Sequence, residues 1–137
     1  MYCKVGCKGR LEGQVAIVTG AARGLGEALA RRLDREGCKV AVADINYEGA
    51  QSVAQSLRDA IALKVDVTDE RQTEEMVEAA VKKFGKLDLM VSNAAILIAK
   101  PVVEFPAEQW RKMIEINLTG YFLCAKAAAK AMIPNRK

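Results

Sequence analysis

The sequence predicts an α/β fold, a doubly wound parallel sheet with helices on both faces, and three observations predict it. Short apolar stretches alternate regularly with segments of helical periodicity. The first stretch is apolar throughout, the mark of a strand covered on both faces. It hands over to a helix through a loop that holds Gly20, Gly24 and Gly26.

Each element follows in order. Val15 to Thr19, VAIVT, is the continuous apolar run and reads as the first strand. Leu25, Ala28, Leu29 and Leu33 then recur at helical spacing, and Gly37 supplies the stop. KVAVAD, Lys39 to Asp44, is the second strand, and a polar helix covers Tyr47 to Leu57. IALKVDV, Ile61 to Val67, is the third strand. Thr68 stands where a helix cap belongs, with Asp69 and Glu70 in the positive first turn behind it. Met76, Val77, Ala80, Val81 and Phe84 form that helix's buried stripe, and Gly85 ends it. LDLMVS, Leu87 to Ser92, is the fourth strand. After a loop with Pro101, Pro106 suits the start of a helix, and the pattern is helical from Trp110 to Ile133 with a break near Asn117 and Gly120. Pro134 closes it.

Strands alternating with helices imply right-handed crossovers between parallel strands, and double winding places them in the order 3-2-1-4. The expectation is one Rossmann-like domain over residues 13–137, preceded by a flexible tail over 1–12.

Composition narrows the function. At 137 residues, with 51% hydrophobic and 28% charged residues, the chain is an ordinary globular domain with room for a real core. No apolar run is long enough to span a bilayer, and no apolar core follows the charged start as in a secretory leader, so a cytoplasmic location is expected. The net charge of +4 is mild and scattered, with basic clusters only in the two tails, so neither a nucleic-acid nor a membrane partner is expected. Cys3 and Cys7 lack further ligands nearby and the chain has no histidine, so no metal site is expected. Cys38 and Cys124 read as small core residues.

In a doubly wound sheet, ligands bind beyond the carboxyl ends of the strands where the winding reverses, here between the first and fourth strands. The loop Thr19-Gly20-Ala21-Ala22-Arg23-Gly24-Leu25-Gly26 lies there. A helix start exposes unpaired N–H groups and the positive end of the dipole, which attract a diphosphate, and glycine lets the phosphates approach the main chain. A purely structural turn is the competing reading. The apolar strand before the glycines and the amphipathic helix after them favour nucleotide binding.

Asp44 ends the second strand, where a dinucleotide fold places the carboxylate that holds the adenosine ribose. Its charge would repel a 2′-phosphate, and Ile45 and Asn46 behind it offer no counter-charge. Arg23 argues the other way, since a loop arginine could pair with that phosphate. Asp44 outweighs it, so NAD is expected and NADP is the lesser alternative; a helix cap is the bland reading of Asp44. Asp66 and Val67 end the third strand, where an acid and a main-chain N–H can meet adenine, although Asp66 could equally cap the following helix. Asn93, Ala94 and Ala95 are small enough to leave room for a ribose, and the amide of Asn93 can tie neighbouring strands.

These residues together resemble the short-chain dehydrogenase/reductase family from about Leu11 onward. TGAARGLG resembles its Thr-Gly-x3-Gly-x-Gly signature; Asp44, DVTD at Asp66 and NLTGYFL at Asn117 resemble later landmarks. SNAA resembles Asn-Asn-Ala-Gly, with Ser92 and Ala95 departing from it; Ala95 adds a methyl beside the cofactor. VSNAAILIAKPVVEFPAEQW and NLTGYFLCAKAAAKAMI look most like the family's polyol dehydrogenases, sorbitol-6-phosphate 2-dehydrogenases among them. The resemblance implies hydride transfer between a small alcohol or polyol substrate and a nicotinamide, in a homo-oligomer. It implies for Asn117 the ordering of a water in a proton relay; a helix kink or a hydrogen bond across the core is the alternative.

The family's chemistry uses a tyrosinate whose pKa is lowered by a lysine four residues on, because tyrosine alone titrates near 10. Tyr2, Tyr47 and Tyr121 are the tyrosines here, and position 125 is Ala, so no Tyr-x-x-x-Lys occurs. The resemblance therefore implies the cofactor-binding portion of a dehydrogenase, inactive alone, with a standalone nucleotide-binding or regulatory module as the alternative. It also implies an unpaired fourth strand, with Leu87, Leu89, Met90 and Val91 at the edge. Phe122, Leu123, Ala127, Met132 and Ile133 would lack part of their partner surface, and self-association is expected.

Overall fold

A computed structural model describes residues 9–135. Four parallel strands, β1 (Val15–Thr19), β2 (Lys39–Asp44), β3 (Ala60–Lys64) and β4 (Leu89–Val91), form one sheet in the order β3-β2-β1-β4. The connecting helices are α1 (Gly24–Arg35), α2 (Tyr47–Gln55) and α3 (Glu70–Phe84); α4 (Ala107–Ile114) and α5 (Gly120–Met132) follow β4. The predicted strand order is the observed one.

Side chains alternate across a strand, so β1 feeds two cores. Val15 and Ile17 pack with Met76, Val77 and Ala80 of α3 and with Cys124, Ala127 and Ala128 of α5. Ala16 and Val18 pack with Ala30 of α1 and with Ala50, Val53 and Ala54 of α2. Both Cys38 and Cys124 are buried free thiols, one in each core.

Several boundaries differ from expectation. The third strand, expected over Ile61 to Val67, ends at Lys64. Val65 N–H still bonds the Asp44 carbonyl at 3.0 Å, but Asp66 then turns the chain by accepting Thr68 N–H (2.9 Å) and the Thr68 hydroxyl (2.7 Å) through Oδ1. Val65 and Val67 remain buried, so an apolar alternation here runs through a turn. Thr68, thus occupied, is not the cap of α3. Asp69 is, accepting Gln72 N–H at 3.1 Å. The fourth strand is shorter than Leu87 to Ser92, because Asp88 replaces a ladder rung with its side chain: Oδ2 accepts Val15 N–H at 2.8 Å while its own N–H bonds the Val15 carbonyl at 3.0 Å.

The predicted break in the last helix is a widened turn. A π-helical stretch, Glu115–Thr119, joins α4 to α5 with helical backbone on both sides. Such insertions widen a helix without ending it. Part of the expected tail is tied down: Leu11 N–H bonds the Glu36 carbonyl at 3.0 Å, Arg10 meets the Glu36 carboxylate, and Leu11 packs on the second core. Residues 1–8 of that tail, with Cys3 and Cys7, lie outside the described residues.

Among the described residues no strand pairs with the outer edge of β4. Leu89, Met90 and Val91 are half-buried there, whereas Leu87 is buried in the first core. On α5, Leu123 and Ala127 are also buried, and the exposed large apolar residues are Tyr121, Phe122 and, just past the helix, Ile133. No helix among the described residues is long and apolar enough to cross a membrane.

Candidate functional site

The carboxyl ends of β1 and β4 part at the point where the winding reverses, and polar stitches hold them there. Thr19 is buried, and its Oγ1 accepts Asn93 N–H at 3.0 Å and Ala94 N–H at 3.1 Å. The Asn93 amide donates to the carbonyls of Thr19 (3.0 Å) and Gly20 (3.2 Å). The strand-tying role open to Asn93 is thus seen directly. Thr19 is the partner that sequence reasoning passed over, and its signal was a hydroxyl at the end of an otherwise apolar run.

The glycine loop departs from this junction. Gly20 (φ 63°) and Gly24 (φ 59°) adopt left-handed backbone, which side chains resist. A Cβ on Gly20 would lie 2.8 Å from the Ala94 backbone, whereas one on Gly24 would enter open space. Gly26 is needed for closeness: a Cβ there would collide with the Gly20 carbonyl and stand 2.6 Å from the Asn93 amide nitrogen. The loop therefore folds back on the start of α1. Arg23 precedes that helix with no side-chain cap, and the first bonded amide is Glu27 N–H to the Arg23 carbonyl at 3.2 Å. The N–H groups of Gly24, Leu25 and Gly26 are the unpaired first-turn donors, the arrangement that binds anions.

Asp44 stands across from the loop. Its Oδ2 accepts Ala22 N–H at 2.9 Å and its Oδ1 accepts Asn46 N–H at 2.9 Å. Asn46 in turn caps α2, accepting Gly49 N–H at 3.1 Å. Asp66, with one oxygen holding Thr68, faces the same space.

A cavity of about 410 Å³ lies between these elements. Gly20, Arg23, Gly24, Leu25, Gly26, Asp44, Ile45, Asp66, Val67, Asn93, Ala94 and Ala95, the residues singled out from the sequence, all line it. Thr19, Ala43, Val65, Ile96 and Ile116 line it as well and were not foreseen. They come from apolar strand ends and from a loop and helix whose meeting is set by tertiary packing.

Asn117 lies behind this wall. Its Oδ1 accepts Ile96 N–H at 2.9 Å and its Nδ2 donates to the Ile96 carbonyl at 2.8 Å. The side chain thus cross-links the helix to the loop after β4, in an exposed setting. Gly120 packs against Val67 of that wall, since a Cβ there would meet the Val67 side chain at 2.8 Å. Beneath the site, burial pushes the Cys124 thiol pKa up, partly offset by a hydrogen bond with Ser92. Tyr121 lies outside the cavity, in a groove beside β4, with Ala125 one turn on.

A parallel sheet wound in both directions, with a glycine loop opening a helix at the reversal, defines an α/β domain of the dinucleotide-binding architecture. The sequence model of the family described as short chain dehydrogenase matches residues 14–137, and the chain belongs to that family. It is similar to a sorbitol dehydrogenase of Cereibacter sphaeroides, 39% identical over 125 residues that make up 90% of this chain and 49% of that protein. A mitochondrial borneol dehydrogenase of Lavandula x intermedia is 43% identical, over 93% of this chain and 49% of its own length. Among solved structures, a short-chain type dehydrogenase/reductase from Mycobacterium marinum superposes with a TM-score of 0.88 at 32% identity, covering 91% of this chain and 52% of that one. The chain thus spans about half the length of the relatives it matches.

Proposed function

We propose that this chain is the coenzyme-binding portion of an NAD-dependent oxidoreductase that interconverts a small alcohol or polyol and its ketone. The convergence of the glycine loop, Asp44 and the ends of β3 and β4 on one cavity supports this reading most directly. The first-turn amides of α1 would hold the diphosphate, with Gly24 leaving the approach clear. Each Asp44 oxygen accepts one main-chain bond, and a carboxylate oxygen has lone pairs for a second, so the ribose diol can be held as well. The negative charge would repel a 2′-phosphate, which favours NAD over NADP. Asp66 and Val67 would border the adenine, and Asn93 to Ala95 the second ribose.

Bound nicotinamide would supply the hydride acceptor or donor; residues 1–137 contain no Tyr-x-x-x-Lys to move the accompanying proton. Asn117 would support the site by fixing Ile96 in its wall. The 137-residue chain alone is therefore expected to bind coenzyme and turn over negligibly.

Calorimetric titration tests the proposal: NADH should bind more tightly than NADPH. No heat with millimolar NADH would overturn it, and equal affinities would remove the role given to Asp44. Oxidation of sorbitol by this chain at an ordinary enzymic rate would refute its inactivity.

A further inference from the structure

Asp44 sits in a closed ring of contacts made within the protein. Its Oδ2 takes the Ala22 amide and its Oδ1 the Asn46 amide, each at 2.9 Å. The Asn46 side chain takes the Gly49 amide at 3.1 Å. Gly49 then lies against Ala22, so closely that a Cβ on Gly49 would come 2.8 Å from the Ala22 methyl and 2.9 Å from the Asn46 amide nitrogen. The ring returns to its start at Ala22, in the middle of the glycine loop.

The rest of the loop is held from its two ends. Asn93 fixes the Gly20 carbonyl, and Ala21 N–H bonds the Ala43 carbonyl at 3.2 Å. Arg23 contributes no side-chain cap. Ala22 is thus the point at which the loop is aimed, and what aims it is the carboxylate and the first turn of α2.

We propose that Asp44 is the positioning residue of the phosphate loop, setting its shape through Ala22 and, by way of Asn46 and Gly49, locking it to helix α2. The ligand part of this inference rests on the proposed coenzyme site; the ring itself does not. No neutral isostere can replace the carboxylate, because an asparagine has one acceptor oxygen and would turn its NH₂ toward the other amide. Coenzyme preference and loop shape are therefore tied to one residue, and exchanging Asp44 to admit a 2′-phosphate loosens the cradle for both coenzymes.

The test combines amide hydrogen exchange with binding of ADP and of 2′,3′-dideoxy-ADP, which has the diphosphate but no ribose hydroxyls. In the free protein, Asp44→Ala should speed exchange at Ala22 by at least about tenfold, the size of one charge-assisted hydrogen bond, with Ile17 and Val42 unchanged. Asp44→Asn, which keeps one acceptor, should fall between, and covers the case in which the alanine variant does not fold. Gly49→Ala breaks the ring without touching the carboxylate and should weaken ADP and dideoxy-ADP equally, by about tenfold if the strain is comparable to one such bond. Asp44→Asn should weaken dideoxy-ADP as well as ADP. Unchanged exchange at both Ala22 and Asn46 in Asp44→Asn would overturn the proposal, since its single oxygen can serve only one of them. So would unchanged dideoxy-ADP affinity in Asp44→Asn and Gly49→Ala when ADP binding by Asp44→Asn falls, because Asp44 would then be a ribose ligand only. If the unaltered chain binds neither nucleotide, the coenzyme reading fails, and Ala22 exchange still decides the ring.

Discussion

The two flanks of β1 are built differently. Toward β2 the strand runs through five rungs, from Val15 opposite Lys39 to Thr19 opposite Ala43, against neighbours that are buried from Val40 to Ala43. Toward β4 there are three, from Ala16 opposite Leu89 to Val18 opposite Val91, against half-buried neighbours. Side chains finish what the shorter ladder leaves open: Asp88 takes the amide of Val15 at one end, and Thr19 with Asn93 closes the other. One flank is held by main chain and apolar burial, the other by a few polar atoms. The difference teaches that a short strand can be fixed at its ends by side chains, and that this places polar groups at the mouth of the candidate site.

The centre common to both flanks sets the scale. Ile17 is fully buried among Met76, Val77 and Ala80. Ile17→Ala should lower unfolding free energy in urea by about 2–5 kcal/mol, the range for emptying a core site. A loss below about 1 kcal/mol would mean that the core relaxes around the gap.

The stitched flank should respond to a smaller change. Thr19→Val keeps the shape and removes the oxygen that accepts the amides of Asn93 and Ala94. Leaving partly buried donors unsatisfied costs about 1–3 kcal/mol each at most, and NADH affinity should fall with stability because the cavity wall begins at these residues. If stability falls and affinity does not, the stitches serve the sheet and not the site.

How far this contrast was legible depends on the kind of signal. Strand order and the glycine loop were readable, because apolar runs, glycine spacing and a terminal carboxylate are local patterns. The ends of β3 and β4 were not. Val65 and Val67 continue the alternation of a strand while Asp66 has already turned the chain, and Asp88 looks like any strand-edge acid until its partner Val15 is in place. Thr19, Ile96 and Ile116 were missed as site residues for the same reason: their role depends on which segments meet. Asn117 was found, but the identity of its partner, Ile96, could not be read from spacing.

Asn117→Ala tests the outermost support on the β4 side. It removes two bonds to the Ile96 main chain, in an exposed setting where each contributes about 0.5–1.5 kcal/mol or less. Faster amide exchange at Ile96, with β1 amides unaffected, is the expected result. Exchange spreading into β1 would show that the two flanks are less separate than the ladders imply.

Acid should weaken the β4 flank through Asp88. Burial raises its pKa, but the Lys86 ammonium and the Val15 amide outweigh that and leave it below the ordinary carboxylate value. A lowered folded pKa means stability that is fully present above the unfolded value of about 3.9 and is lost as pH falls through the folded one. Asp88→Asn should therefore flatten part of the loss of stability below about pH 4 while leaving the neutral-pH slope unchanged. An identical acid limb in the variant would assign the effect to Asp69, Glu70 and Glu36, whose carboxyls are also held low by hydrogen bonds.

The smallest effect belongs beyond β4, where Val103 is 91% and Leu97 85% exposed. A side chain already in water has no transfer free energy to lose, so Val103→Ser should change monomer stability by less than about 0.5 kcal/mol. The same reasoning makes the variant a probe of association. If the chain associates through this surface, burial at the contact restores a hydrophobic contribution that serine forfeits, and unfolding then becomes dependent on protein concentration. Sedimentation with urea unfolding at two concentrations separates the cases: no change in either marks Val103 as a freely solvated residue. A weaker association with an unaltered monomer would instead move the boundary of the β4 flank outward, onto the segment that follows Ile96.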